Sequence, residues 1–415
     1  MRAFHNVRGR LVFVVVLAML LCVVGSKVRA EAVTADSGVP DLKPMKKFFT
    51  LPNFRIGGTY DLGDEASYND GGKDGTTLES LGQPPLRLAY IAVGTPKKDA
   101  QGKITNAVVV SPYYSGDSAF MYFYWFDGQK GTEFSKGPVV GPGKLIDTNK
   151  YYVVFLDALG LWGASKPSDG LGIKFPKYNP FDLVQANYRL LKDELGIAKV
   201  KLATGVSLGG IQSYVFAVLH PDFVEAILPI GGVTKFDSVS RWLFELMTAA
   251  MISDPVWQET KGNYYHLPKE KHPLKGMMFG WSVLGHTGLG FDFRAKQPWS
   301  VVQKEVFAWD ASGDQGANLV PKGKDYDVVD LLYRNRLLDG FDITDNLSKI
   351  KAKALVLHVK NDQWLRYVNV EESTKKIAGA KLVGFEDPLA HYAVFRAPNV
   401  VADEVKAFFK EIGMQ

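Results

Sequence analysis

The chain has 415 residues, 46% of them hydrophobic and 22% charged, with 41 Gly and 21 Pro, a make-up that fits a globular protein and excludes a collagen-like or disordered one. Five of its 49 Lys and Arg fall in residues 1–30, which hold no acid, so the remainder balances 44 cations against 44 anions. A neutral body has no electrostatic footprint for a nucleic-acid backbone, and nucleic acid is not an expected partner.

Arg2, Arg8 and Arg10 precede an uncharged run from Leu11 to Val24, which is followed by Gly25, Ser26 and Val28-Arg29-Ala30. A basic start, a short apolar middle and a small residue at the cut describe a secretory signal peptide. The run is shorter than the roughly 20 residues a membrane span requires. The expectation is therefore a signal over residues 1–30, a periplasmic or secreted protein, and no membrane span after cleavage; an uncleaved anchor is the alternative. Cys22 is the sole cysteine and lies in this segment. A mature chain would then hold no disulfide, thiolate metal site or cysteine nucleophile.

Residues 31–78 are mixed, and Gly63 to Thr77 is polar and Gly-rich, which reads as loop. From Leu86 the pattern changes. Leu86–Val93, Ala107–Ser111, Tyr151–Leu156, Val200–Thr204, Ala226–Ile230 and Ala354–Val359 are short apolar runs rich in β-branched residues. Bounded by Gly, Pro or Asp, such runs suit strands buried on both faces of a largely parallel sheet. Phe181–Leu195 has helical spacing, and Val400–Ile412 is amphipathic and reads as a closing helix. Strands alternating with helices predict an α/β fold with a mostly parallel central sheet. The core is expected in two parts, residues 31–232 and 354–415. Between them, residues 233–353 form an insertion rich in large apolar side chains, among them Trp242, Met247, Met251, Tyr264, Met277, Phe279 and Trp281. Much of that list would fill a small satellite core. An insertion at this point would also overhang the edge where parallel sheets bind ligands, so a helical lid is expected.

Gly205-Val206-Ser207-Leu208-Gly209 follows one of these strands and precedes a helical stretch, which is the context a G-x-S-x-G nucleophile elbow needs. The turn would project the Ser207 hydroxyl above the sheet. Serine attacks only when a base takes its proton and an acid orients that base, and on such a fold the acid and then the histidine follow the serine in the chain. Of the six histidines in the body, His220 ends a helix, His358 lies within a strand, and His266, His272 and His286 fall in the insertion. His391 lies in a loop after the strand Lys381–Phe385, just before the last helix. It is the expected base. Asp362, three residues past Val359, is the expected acid, with Asp387 as its rival. The oxyanion donors should be the backbone N–H of Leu208 and one from the loop Pro112-Tyr113-Tyr114-Ser115-Gly116. Pro112 has no N–H, which leaves Tyr113, with Tyr114 as the alternative. No H-E-x-x-H pair or Walker-type loop occurs, so no metal and no cofactor is expected.

From about Leu86 to the C-terminus the chain resembles the homoserine O-acetyltransferase family of α/β-hydrolases. Gly141 to Thr148 (GPGKLIDT) is similar to its GPGKxIDT block, and Gly205 to Gln212 (GVSLGGIQ) to its GxSMGGMQ. Asp254-Pro255 falls where its lid carries a DP pair. Asn361-Asp362 with Trp364-Leu365 resembles its SDWL segment, which implies that Asp362 is the acid; His391 stands at its GHDAF histidine. The chain departs from the family at Ser111, where a His is usual, and at Gln363, which interrupts SDWL. The family also needs a cation for the homoserine carboxylate, yet Trp242–Thr260 contains neither Arg nor Lys. Arg241 or Arg294 could substitute.

The sequence thus predicts an exported serine hydrolase acting on a small-molecule acyl substrate. The alternative is an acyltransferase of the homoserine O-acetyltransferase type, whose usual donor, acetyl-CoA, is a cytoplasmic metabolite. A non-catalytic binding protein on the same fold is a third reading. A homodimer is compatible with the sequence, which names no surface for it.

Overall fold

The computed structural model describes residues 45–128, 136–302 and 326–414. The expected signal segment, residues 1–30, and residues 303–325 of the insertion lie outside the described residues.

The expected runs, joined by one strand that was not expected, form one eight-stranded sheet: β1 (Lys47–Leu51), β2 (Leu86–Val93), β3 (Ala107–Ser111), β4 (Tyr152–Leu156), β5 (Val200–Val206), β6 (Ala226–Ile230), β7 (Lys353–Val359) and β8 (Lys381–Phe385). Their spatial order is β1-β2-β4-β3-β5-β6-β7-β8. β2 runs antiparallel to both its neighbours, β1 and β4, and the pairs from β4 through β8 are all parallel. This is the α/β-hydrolase fold. Every residue of β3 and β6 is buried, as expected for strands covered on both faces.

Side chains alternate across the sheet. Ala107, Val109, Ala203 and Val356 join the core under the helices α1 (Pro180–Arg189) and α2 (Leu208–Leu219), whereas Val108, Val110, Leu202 and Leu357 face Trp125, Val405 and Phe408 on the other side. Val405 and Phe408 belong to the closing helix α6 (Ala402–Glu411). The helical spacing over Phe181–Leu195 holds throughout its length, but beyond Arg189 the chain winds more widely, as a π-type turn over Leu190–Glu194.

β1 lies in the stretch 31–78 that the sequence left mixed. KFFTL lacks a fully buried pattern because it is an edge strand. Lys46 secures it, placing Nζ 2.7 Å from Asp117 and 3.0 Å from Asp157.

Between β6 and β7 the described residues are helical, with α3 (Ser238–Ile252), α4 (Leu274–Thr287) and α5 (Val328–Asn335) as the main elements. Asp237 and Asp327 cap α3 and α5 by accepting first-turn N–H groups. α3 and α4 approach closely because a Cβ on Gly276 would lie 2.5 Å from the Met251 carbonyl oxygen. Met247, Met251, Tyr264 and Met277 are buried here, while Trp242 and Phe279 are exposed. Among the described residues no helix is long and apolar enough to cross a membrane.

Candidate active site

β5 ends at Val206 and α2 begins at Leu208, leaving Ser207 alone on the turn with φ 56° and ψ −117°. A side chain in that region is strained by about 1–3 kcal/mol and persists only where its surroundings hold it. Here the Ser207 N–H donates to the Ile230 carbonyl at 2.8 Å, and the Ser207 carbonyl accepts from Ile211 at 3.1 Å. The turn is possible because glycines stand nearby at 205, 209 and 210. A Cβ at 209 would stand 2.3 Å from the Ser111 oxygen, and one at 210 would stand 2.8 Å from the Ile230 oxygen.

Asp362 follows β7 and His391 follows β8, so parallel pairing delivers both to the sheet edge that carries Ser207. His391 Nε2 is 2.9 Å from Ser207 Oγ, and His391 Nδ1 is 2.6 Å from Asp362 Oδ2. All three are buried. With Nδ1–H donating to the carboxylate, Nε2 is left to accept the serine proton. Asp362 Oδ1 is held by the N–H groups of Trp364 and Leu365, at 2.8 and 3.1 Å. Burial alone would raise its pKa, but the His391 charge and hydrogen bond, with help from His358 and the Leu365 N–H, hold it below the ordinary carboxylate value.

His358, read from sequence as a strand residue, proves to be the support behind this acid. Its Nε2–H donates to the Leu365 carbonyl at 2.7 Å and lies 3.9 Å from Asp362 Oδ2, so it braces the loop that carries Asp362. Its position four residues before the acid was the available signal. Asp387, the rival acid, is turned away, accepting from Arg396 Nε at 3.0 Å and from the Leu389 N–H at 2.9 Å. His220 bonds Glu65 and Gln185, His272 bonds the Leu267 carbonyl, and His266 and His286 are exposed.

The loop after β3 is tied to α2, since Gln212 Nε2 donates to the Pro112 carbonyl at 3.1 Å. The Tyr113 ring packs edge-on against Phe395, with centroids 4.9 Å apart, and near Tyr124. Its ring is buried in that cluster. The Tyr114 ring instead lines a small cavity shared with Ser207 and Leu208.

That cavity is walled mainly by apolar side chains, including Ile211, Phe244 and Trp364. The Trp364 ring packs at a tilt against the His391 ring, with centroids 4.4 Å apart, and donates its indole N–H to Thr287 of α4, linking the histidine to the inserted helices. Neither cation suggested by the sequence lines it. Arg241 is exposed and faces Asp339 at 3.7 Å, and Arg294 bonds Gln297 and the Gly285 carbonyl. Arg334 and Asn335 of α5 line it instead. Arg334 sits four residues after Asp330, a spacing that reads as a surface ion pair; its place on the apolar side of a helix rich in Val and Leu was the signal against that.

No protein-family model matches the chain. Among curated relatives, homoserine O-acetyltransferase of Desulfotalea psychrophila is 30% identical over 283 residues, covering 64% of this chain and 69% of that protein. Homoserine O-acetyltransferase of Methanosalsum zhilinae is 30% identical over 303 residues, 68% of this chain; the alignment spans 58% of that protein's length. Among solved structures, the acetyl esterase MekB superposes with a TM-score of 0.67 at 20% identity over 88% of this chain and 96% of that one. Homoserine O-acetyltransferase from Bacillus anthracis gives 0.65 at 19% identity, with the same coverage.

Proposed function

The chain belongs to the homoserine O-acetyltransferase family of α/β-hydrolases, and from that premise we propose that it transfers an acyl group through an acyl-Ser207 intermediate to an alcohol. This ranks the transferase above the simple hydrolase that the sequence put first. The single observation carrying the reading is the continuous hydrogen-bonded line from Ser207 Oγ through His391 to Asp362 at the floor of a largely apolar cavity.

Ser207 Oγ attacks the acyl carbonyl carbon while its proton passes to His391 Nε2. Asp362 holds the imidazole in the required tautomer and stabilises its positive charge. The developing oxyanion is received by the Leu208 and Tyr113 backbone N–H groups, each such donor being worth about 3–4 kcal/mol. The leaving group departs with the proton from His391. An acceptor hydroxyl then gives its proton to His391, attacks the acyl-serine and restores Ser207. The helices inserted between β6 and β7 act as the lid, and the apolar walls favour the alcohol over water by leaving water few polar partners.

The test is p-nitrophenyl acetate turnover with and without added alcohols. A burst of p-nitrophenol matching the enzyme concentration, acylation mapped to Ser207 and partition of acetyl groups into alcohol support the reading. Exclusive hydrolysis at high alcohol concentration would return the protein to the hydrolase reading. Failure of a fluorophosphonate to label the folded protein would remove catalysis altogether.

A further inference from the structure

Arg334 is buried, at 2% exposure, in the wall of the cavity that holds Ser207. A guanidinium carries five N–H donors and cannot shed its charge. Taking such a charge out of water costs several kcal/mol unless it is paired. Arg334 Nη2 donates to the Leu159 carbonyl at 3.0 Å, and the guanidinium carbon lies 5.7 Å from the Tyr178 ring centre. Its Nε and Nη1, both buried, have no hydrogen-bond partner among the described residues.

The polar groups beside it are already committed. Asp330, one turn earlier on α5, accepts from the Ser168 N–H and hydroxyl and faces Lys166 at 3.5 Å. The Asn335 carboxamide oxygen accepts from the Tyr114 hydroxyl, and its amide donates to Thr248 Oγ1 at 3.0 Å. Among the described residues lining the cavity, Arg334 is the one charged side chain, and no carboxylate faces it. Among the described lining residues the site thus has an uncompensated cation for an anion and no carboxylate to pair with an ammonium group.

We propose that Arg334 binds a carboxylate on the alcohol that Ser207 acylates and deacylates, and that this alcohol is a short hydroxy acid without an amino group. The inference rests on the acyl-serine reading and assigns the substrate class of the same site. It differs from what the relatives' name suggests, because homoserine carries an ammonium beside its carboxylate. Arg334 positions the acceptor through that charge, and the apolar walls pack its short methylene chain.

Three acetyl esters that share one carbon skeleton decide the matter: 4-acetoxybutanoate (anion), its methyl ester (neutral) and O-acetylhomoserine (the same anion with an ammonium). The wild-type protein should show a kcat/KM for 4-acetoxybutanoate at least 10-fold above both of the others. In Arg334→Met the preference over the methyl ester should fall to about 1, through KM, and Arg334→Lys should restore part of it. Equal turnover of anion and neutral ester by the wild type, or a preference for O-acetylhomoserine, overturns the proposal, and does so even if Arg334→Met fails to fold. A p-nitrophenol burst with no preference among the three esters overturns this inference alone. Absence of the burst overturns the acyl-serine reading and this inference with it.

Discussion

His391 Nε2 stands 2.9 Å from Ser207 Oγ although 184 residues of chain separate the two. The distance is set by the sheet rather than by either loop. Gly231, just beyond the β6 end, donates its N–H to Leu357 of β7 at 2.8 Å, and β7 and β8 stay in register through Val359 and Phe385. The loops leaving those strand ends are consequently neighbours, and each has only a few residues in which to diverge.

Asp362→Asn should lower kcat for acyl esters by about 10⁴-fold while leaving the fold in place. An amide at 362 can still accept from the Trp364 and Leu365 N–H groups, but it presents N–H to His391 Nδ1 and so selects the wrong tautomer. Steady-state rates and a thermal melt check this. A loss of less than tenfold would remove Asp362 from the triad.

Gly209→Ala should destabilise the protein by about 1–3 kcal/mol through overpacking and cost most of the activity, because the new methyl meets the Ser111 backbone oxygen, 2.3 Å from the ideal Cβ position. Gly285→Ala, in α4, should act in the opposite sense. No atom lies within 4 Å of its added Cβ, and alanine in a helix interior gains roughly 0.5–1 kcal/mol over glycine. Urea unfolding of the two variants measures both signs.

Lys46→Met should cost about 3–5 kcal/mol, because it leaves the carboxylates of Asp117 and Asp157 buried without their cation. The measurement is the denaturation midpoint, with hydrogen exchange across β1 and β2 reporting where the sheet opens. A change below about 1 kcal/mol would mean that this ion pair does not secure the edge strand.

Stability should fall as pH rises from about 4 to about 7 through Asp182. Burial pushes its carboxyl up to about 7, although the Tyr60 hydroxyl and the N–H groups of Asn179 and Gly57 act in the other direction. An unfolded aspartate titrates near 3.9. Between the two values the folded state binds more protons, so raising pH favours unfolding. Asp182→Asn should flatten this part of the stability profile, measured as melting temperature against pH. A variant profile parallel to that of the wild type would show that Asp182 does not titrate in this range.

Much of this architecture was legible because its signals are local. Six of the eight strands are short runs rich in Val, Ile, Leu and Ala that are satisfied inside a sheet, and their predicted ends, like those of the edge strand β8, lie within two residues of the observed ones. The elbow was legible for the same reason, since a serine with glycines two residues away on either side, between a strand and a helix, has few other conformations. β1 was not, because an edge strand needs only one covered face and KFFTL carries no long apolar run.

The order of elements along the chain, with Ser207, Asp362 and His391 each following a strand, was determined by the amino-acid sequence by itself. Apolar periodicity and turn chemistry act over a few residues and are written in them. Which charges end up paired was decided only by the tertiary structure. Asp387 and Asp362 are equally acidic on paper, yet one meets Arg396 and the other His391. Arg334 and Asp330 share a helix at ion-pair spacing, yet Asp330 turns to Ser168 and Lys166 and Arg334 to the cavity. Electrostatic energy depends on burial and on partners distant in the chain, and neither exists until the layers have packed.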